Sequence, residues 1–262
     1  HVDILIENGI FTKVTEQSID IKADKEINGE NLLAFPGLID DQVHFREPGL
    51  TAKGDLFTES RAAVAGGITS YMEMPNTKPG ATTIALLEEK YARAGQVSLA
   101  NYSFYMGTTN HNMEELLKID KEKVCGVKIF MGSSTGDMLV DNEGMLSNVF
   151  ANIDKLIAVH CEYDPWINEN LLVAKLKYGD DIPVEQHPII RSREACYKSS
   201  SFAVDLAKKH GTRLHILHIS TAEELALFSN KLPLKEKKIT AEACIHHLWF
   251  SEEDYTSKGN FI

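Results

Sequence analysis

Four residues able to bind a metal stand at the ends of apolar, strand-like runs. His44 follows Leu38-Ile39-Asp40-Asp41-Gln42-Val43, and Lys128 lies within Gly126-Val127-Lys128-Ile129-Phe130-Met131. His160 follows Ile157-Ala158-Val159, and His218 follows His215-Ile216-Leu217. One strand-end histidine reads most simply as a satisfied structural residue. Four candidates at matching positions read as parallel strands converging on a cation, which points to metal-dependent hydrolysis. Two neutral imidazoles with an anionic oxygen donor suit zinc or a similar borderline cation. An isolated charge at Lys128 is costly to bury. Desolvation lowers an amine's pKa, and a neutral amine can add carbon dioxide to become a carbamate, which bridges two cations as a carboxylate would. The plainer reading of Lys128 is a lysine paired with a nearby acid.

Alternate residues on a strand share a face, so Gln42, His44 and Arg46 are expected to project together. Arg46 offers a planar fork suited to a carboxylate; the competing reading is a salt bridge to Glu47 or Glu59. Asn76 follows a strand in the turn Met74-Pro75-Asn76-Thr77-Lys78-Pro79, where asparagine is also a plain turn former. Cys161 points away from the His160 face and reads as core. His215 has the opposite parity to His218 and is expected to be packed or exposed. His246-His247 is a weaker candidate for contact with metal or substrate, and His187-Pro188 reads as a loop.

Positioning these groups falls to a repeated unit. Apolar runs alternate with amphipathic stretches, which argues for βαβ units and a parallel sheet. Seven strands are predicted: 32–40, 68–75, 98–107, 126–131, 156–162, 213–220 and 238–245. Helical patterns fall at 55–65, 82–94, 113–119, 191–210 and 222–229, with Gly66-Gly67 placed to end the first through a left-handed C-terminus. The fold class is therefore α/β, and the pattern fits a TIM-like (β/α)8 barrel lacking its eighth strand or an open doubly wound sheet. The barrel is favoured because the polar candidates sit at C-terminal strand ends, where such barrels build active sites. Residues 1–35 differ: Asp3 to Ile6 and Ser18 to Lys22 alternate like short strands near Asn8-Gly9 and Asn28-Gly29. They read as part of a small β layer, with the barrel occupying 36–262.

The chain has 262 residues, 43% of them hydrophobic, enough for a substantial core. Its 27 basic and 38 acidic residues give a net charge of −11, with no basic run dense enough to neutralise a phosphate backbone, so nucleic acid is not an expected partner. No apolar stretch approaches the roughly 20 residues that span a bilayer, and His1-Val2-Asp3 lacks the form of a signal peptide. A cytoplasmic location without membrane attachment is expected. The four cysteines are widely spaced without a CxxC pair and read as reduced thiols.

With these residues in place the chain resembles the dihydroorotases of the amidohydrolase superfamily, from Pro36-Gly37-Leu38-Ile39-Asp40 to Lys258-Gly259-Asn260. His44-Phe45-Arg46-Glu47-Pro48-Gly49 and Met74-Pro75-Asn76-Thr77 match the family pattern, and Gly126 to Met131 is similar to the superfamily's carboxylated-lysine strand. Hydantoinases and allantoinases share the scaffold and the lysine but generally lack the arginine, so Arg46 favours dihydroorotase. The resemblance implies that His44 serves the more buried metal, that carboxylated Lys128 bridges, and that His160 and His218 hold the second metal. It also implies that Arg46 and Asn76 grip the substrate carboxylate. The implied reaction interconverts N-carbamoyl-L-aspartate and L-dihydroorotate in pyrimidine biosynthesis, in a homodimer.

Two departures modify that expectation. Gln42 replaces the first histidine of the family's His-x-His, and an amide oxygen is a weaker, harder donor. One well-occupied zinc site held by Lys128, His160 and His218 is therefore expected, with the His44 position weak or empty. The family's eighth-strand aspartate, which handles the proton, has no match before Ile262. The natural protein is accordingly expected to be longer, and the chain alone not to be catalytically competent. Two alternatives remain: a non-catalytic homologue partnering a transcarbamoylase, and a hydantoinase- or allantoinase-like cyclic amidohydrolase.

Overall fold

The structure is a computed structural model that describes residues 1–134 and 136–261. It divides into two compact units, His1–Pro36 and Gly37–Ile262.

The first unit contains one antiparallel hairpin, β1 (Asp3–Glu7) and β2 (Ile10–Thr15). Asn8 (φ 51°) and Gly9 (φ 76°) close it as a two-residue turn, for which a left-handed Asn-Gly pair matches the strand twist. The strand expected at 18–22 does not form. Alternation there lacks a pairing edge: the Ile19 N–H is bound by the Asp3 carboxylate (2.9 Å), where a strand would use a ladder carbonyl.

The second unit is a seven-stranded parallel sheet of β3 (Leu38–Val43), β4 (Ile68–Glu73), β5 (Asn101–Gly107), β6 (Gly126–Phe130), β7 (Ile157–His160), β8 (Leu214–Ile216) and β9 (Ile239–Ala241). Each strand neighbours the next in sequence. A doubly wound sheet would reverse its order at a switch point. This sheet instead curls until Asp41 on β3 comes within 3.6 Å of His215 on β8, the topology of a TIM-like barrel. The first barrel strand begins at Leu38, later than the predicted residue 32. Pro36 cannot donate to a ladder, and Leu32, Leu33 and Phe35 before it are exposed.

Helices alternate with the strands, and the longer ones pack on the outer face of the sheet. The helices are α1 (Leu56–Ala65), α2 (Ile84–Val97), α3 (Met113–Leu116), α4 (Glu143–Asn152), α5 (Asp164–Tyr178), α6 (His187–Ile190), α7 (Arg193–His210), α8 (Ile245–Trp249) and α9 (Asp254–Lys258). Four starts are fixed by side-chain caps: Asp55, Thr83, Asn142 and Ser192 each accept a first-turn N–H. Gly67 (φ 87°) takes the left-handed turn after α1 that the Gly66-Gly67 pair predicts. The predicted helix at 222–229 is a 3-10 turn, Glu223–Leu227, and His187, expected in a loop, begins α6.

Strand alternation produces two cores. Val127, Ile129, Ile157, Val159, Leu214 and Ile216 face the helices and join Leu87, Leu146, Val149, Phe150 and Val204. Met74, Tyr105, Ala158 and Leu217 form a separate cluster inside the curl. Lys128 and His215 both pair in register with Ala158, so they share its inward face.

Candidate metal centre

His160 and His218 face each other at the C-terminal ends of β7 and β8, with His160 Nδ1 3.2 Å from His218 Nε2. The other ring nitrogen of His160, Nε2, lies 2.7 Å from Glu162 Oε2 and donates to it. Arg191 donates to both oxygens of the same carboxylate, through Nε at 2.7 Å and through Nη2. Burial pushes Glu162 up, but bonds from His160, Arg191 and Ser133 outweigh it and hold the group at about 2. A permanently ionised Glu162 keeps the proton on Nε2, so Nδ1 presents its lone pair to His218. Two ligand nitrogens on a tetrahedral zinc ion stand on the order of 3.3 Å apart, given bonds of about 2.0–2.1 Å. The observed spacing fits a zinc ion, and the donor chemistry agrees.

Lys128 is 1% exposed on β6, and its Nζ lies 4.3 Å from the centre of the Phe130 ring. Burial lowers its pKa from 10.5 to about 7. Lys128 forms no salt bridge among the described residues, and the Glu242 carboxylate offsets its burial only in part. The Lys128 charge contributes to lowering both His44 and His218. Burial, with Arg46 and Lys128, brings His44 to about 4; burial, with His160 and Lys128, brings His218 to about 3. Both imidazoles are therefore neutral at pH 7, as ligation demands.

His44 Nδ1 lies 2.8 Å from Asn76 Oδ1. Because that amide oxygen only accepts, Nδ1 carries the proton and Nε2 keeps its lone pair. Arg46 follows in a left-handed conformation (φ 67°). Neither acid expected to compete for it does so: Glu47 binds Arg93 (2.7 Å) and the Leu56 N–H (2.9 Å), and no ion pair to Arg46 forms among the described residues. Gln42 is half-buried where β3 becomes irregular, its backbone N–H bound to Asp40 Oδ1 (3.1 Å). Cys161 is buried among the helix-facing residues, as its parity predicts. His246 and His247 are exposed on α8, clustered with Cys244.

Several polar groups went unrecognised in the sequence. Glu162 sits two residues beyond His160, and strand parity carries that signal. Glu73 forms a buried ion pair with Lys90, whose Nζ also donates to Met74 O (3.0 Å). The backbone N–H groups of Phe45 and Arg46 also favour the Glu73 carboxylate, which sits against the turn that carries His44. A third cluster joins Asp41, His215 and Glu242 inside the barrel. Glu73 and Glu242 share with Lys128 the mark of a charge in or at the end of a strand. Gly132 permits the close packing here, since a Cβ at that position would lie 2.5 Å from Glu162 O.

Residues 31–224 match the family model described as Dihydro-orotase-like. The chain belongs to this dihydroorotase-like family. A dihydroorotase of Methanosarcina acetivorans is 33% identical over 262 residues, covering 97% of this chain and 55% of the relative. An allantoinase of Solibacter usitatus is 31% identical over 267 residues, covering 98% of this chain and 56% of the relative. The chain thus spans little more than half the length of these relatives. Among solved structures, an L-hydantoinase (dihydropyrimidinase) from Arthrobacter aurescens superposes with a TM-score of 0.90 at 25% identity, covering 98% of this chain and 58% of that one. No helix among the described residues is long and apolar enough to cross a membrane.

Proposed function

We propose that the protein is a zinc-dependent dihydroorotase interconverting N-carbamoyl-L-aspartate and L-dihydroorotate, a step of pyrimidine biosynthesis in the cytoplasm, and that it works as a homodimer. The observation that carries the reading is the facing pair His160 Nδ1 and His218 Nε2 beside a buried, readily neutralised Lys128. These three residues would hold one zinc ion, Lys128 as its carbamate, while His44 and the weaker donor Gln42 make a second position poorly filled. When bound, zinc supplies Lewis acidity for a ring amide carbonyl and for the water that opens it.

The chain's own residues do the rest. Glu162, clamped by Arg191, keeps the His160 lone pair aimed inward. Arg46, which has no ion-pair partner among the described residues, binds the substrate carboxylate, and Asn76 is the second group of that clamp. Its oxygen is held by His44, which leaves its amide nitrogen to donate. Together they orient the ring and distinguish an anionic substrate from a neutral hydantoin.

Relatives named allantoinase at 31% and 30% identity favour a second reading, a cyclic amidohydrolase for another ring. The test is ring opening of dihydroorotate, allantoin and a hydantoin by the full-length protein with added zinc. Dihydroorotate is expected to be turned over fastest. Faster turnover of a neutral ring would establish the second reading, and zinc binding without any turnover would point to a non-catalytic partner of a transcarbamoylase.

A further inference from the structure

We infer that Glu242, braced by His215, is a positioning residue that sets the direction in which His218 presents its ring to the metal. This inference rests on the metal-centre reading above.

In a regular parallel ladder, a residue donates to one neighbour and accepts from the residue two further along the facing strand. Glu242 donates its N–H to Ile216 O (3.1 Å) but accepts at its own carbonyl from Ile219 N–H (2.8 Å), three residues on. One extra residue is therefore accommodated between Ile216 and Ile219, as in a bulge. The insertion explains why His215 and His218, of opposite parity, both face the interior. It also deprives the His218 N–H of a ladder partner and places His218 in a left-handed conformation (φ 37°), which is unfavourable for a non-glycine residue.

The Glu242 side chain supplies what the ladder withholds. Its Oε1 accepts the His218 N–H at 3.1 Å. Its Oε2 lies 3.0 Å from His215 Nε2, and His215 Nδ1 lies 2.8 Å from Thr240 Oγ1. With Nε2 donating to Glu242 and the Thr240 hydroxyl donating to Nδ1, each ring nitrogen has its partner. Asp41 adds a carboxyl 3.6 Å from the same His215 nitrogen. Glu242 thus spends one oxygen on His215 and the other on the His218 backbone. That is the bonding of a brace, with one face on the strand exit that carries a ligand.

The test is zinc affinity of the full-length protein, by competition with a chromophoric chelator, alongside thermal unfolding of the metal-free forms. Glu242→Ala should weaken zinc binding roughly 10- to 100-fold, the usual cost of losing an outer-shell partner. Glu242→Gln keeps an oxygen for the His218 N–H, and its amide can donate to His215 Nε2 after a tautomer change, so it should restore near wild-type affinity. If Glu242→Ala does not fold, His215→Phe, which frees Oε2, is expected to weaken zinc binding several-fold. Wild-type affinity in Glu242→Ala, or equal losses in the Ala and Gln variants, would overturn the inference. Where Glu242→Ala does not fold, wild-type affinity in His215→Phe would do so. His218→Ala separates the two levels: undiminished zinc binding there would refute the metal centre itself.

Discussion

Replacing Lys128 by methionine should stabilise the metal-free protein while removing its capacity for tight zinc binding. The side chain is 1% exposed, and burial lowers its pKa from 10.5 to about 7. Between those values the unfolded chain holds more protons than the folded one, so wild-type stability rises with pH across this window and is lost as pH falls towards 7. At about 1.36 kcal/mol per unit, burying the amine costs about 4 kcal/mol at pH 7 and roughly 1 kcal/mol at pH 9.5. Methionine is similar in volume, and such exchanges usually cost less than about 1.5 kcal/mol in packing. K128M should therefore exceed wild type by about 2 to 3 kcal/mol at pH 7, with most of that margin gone by pH 9.5. Urea denaturation of chelator-treated, carbon dioxide-free protein at the two pH values measures this directly. A K128M protein less stable than wild type at pH 7, or a margin that does not shrink with pH, would refute the reasoning.

Further expectations follow from neighbouring groups. Glu162→Ala frees the His160 tautomer and should weaken zinc affinity roughly 10- to 100-fold in a competition titration. Lys90→Met leaves Glu73 buried without its cation, which should cost roughly 3–5 kcal/mol by denaturation at pH 8, above the value of about 7 to which burial raises Glu73. The penalty should shrink at pH 5.5, where that carboxyl is protonated. Arg46→Gln should raise KM for dihydroorotate roughly 10- to 100-fold, as expected for losing a charged hydrogen-bonding partner, and leave KM for a neutral hydantoin nearly unchanged.

The barrel was legible because its strands carry the signals that burial imposes. Largely apolar runs from Gly126 and Ile157 mark strands covered on both faces, and polar residues near their C-terminal ends mark the functional rim. His44, Lys128, His160 and His218 could be chosen on that basis. What the sequence obscured has specific causes. His215 escaped because parity was carried across an inserted residue between Ile216 and Ile219, a shift visible only in the bonds of Glu242. Arg191 reaches Glu162 from a distant segment, with no local pattern to reveal it. The helix Asp164–Tyr178 buries only Ala174 and leaves Leu172, Val173 and Leu176 exposed, so it lacks the apolar stripe by which a core-facing helix is recognised. In the N-terminal unit, alternation at 18–22 indicated a strand where only a side-chain tether forms.

The central claim is that His160, His218 and Lys128 surround one zinc ion, with Gln42 leaving the neighbouring position poorly filled. Anomalous scattering at the zinc edge from crystals of the full-length protein tests it most directly. One strong peak is expected at bonding distance from His160 Nδ1 and His218 Nε2, with little density on the His44 side. No peak there, or two peaks of equal height, would contradict it.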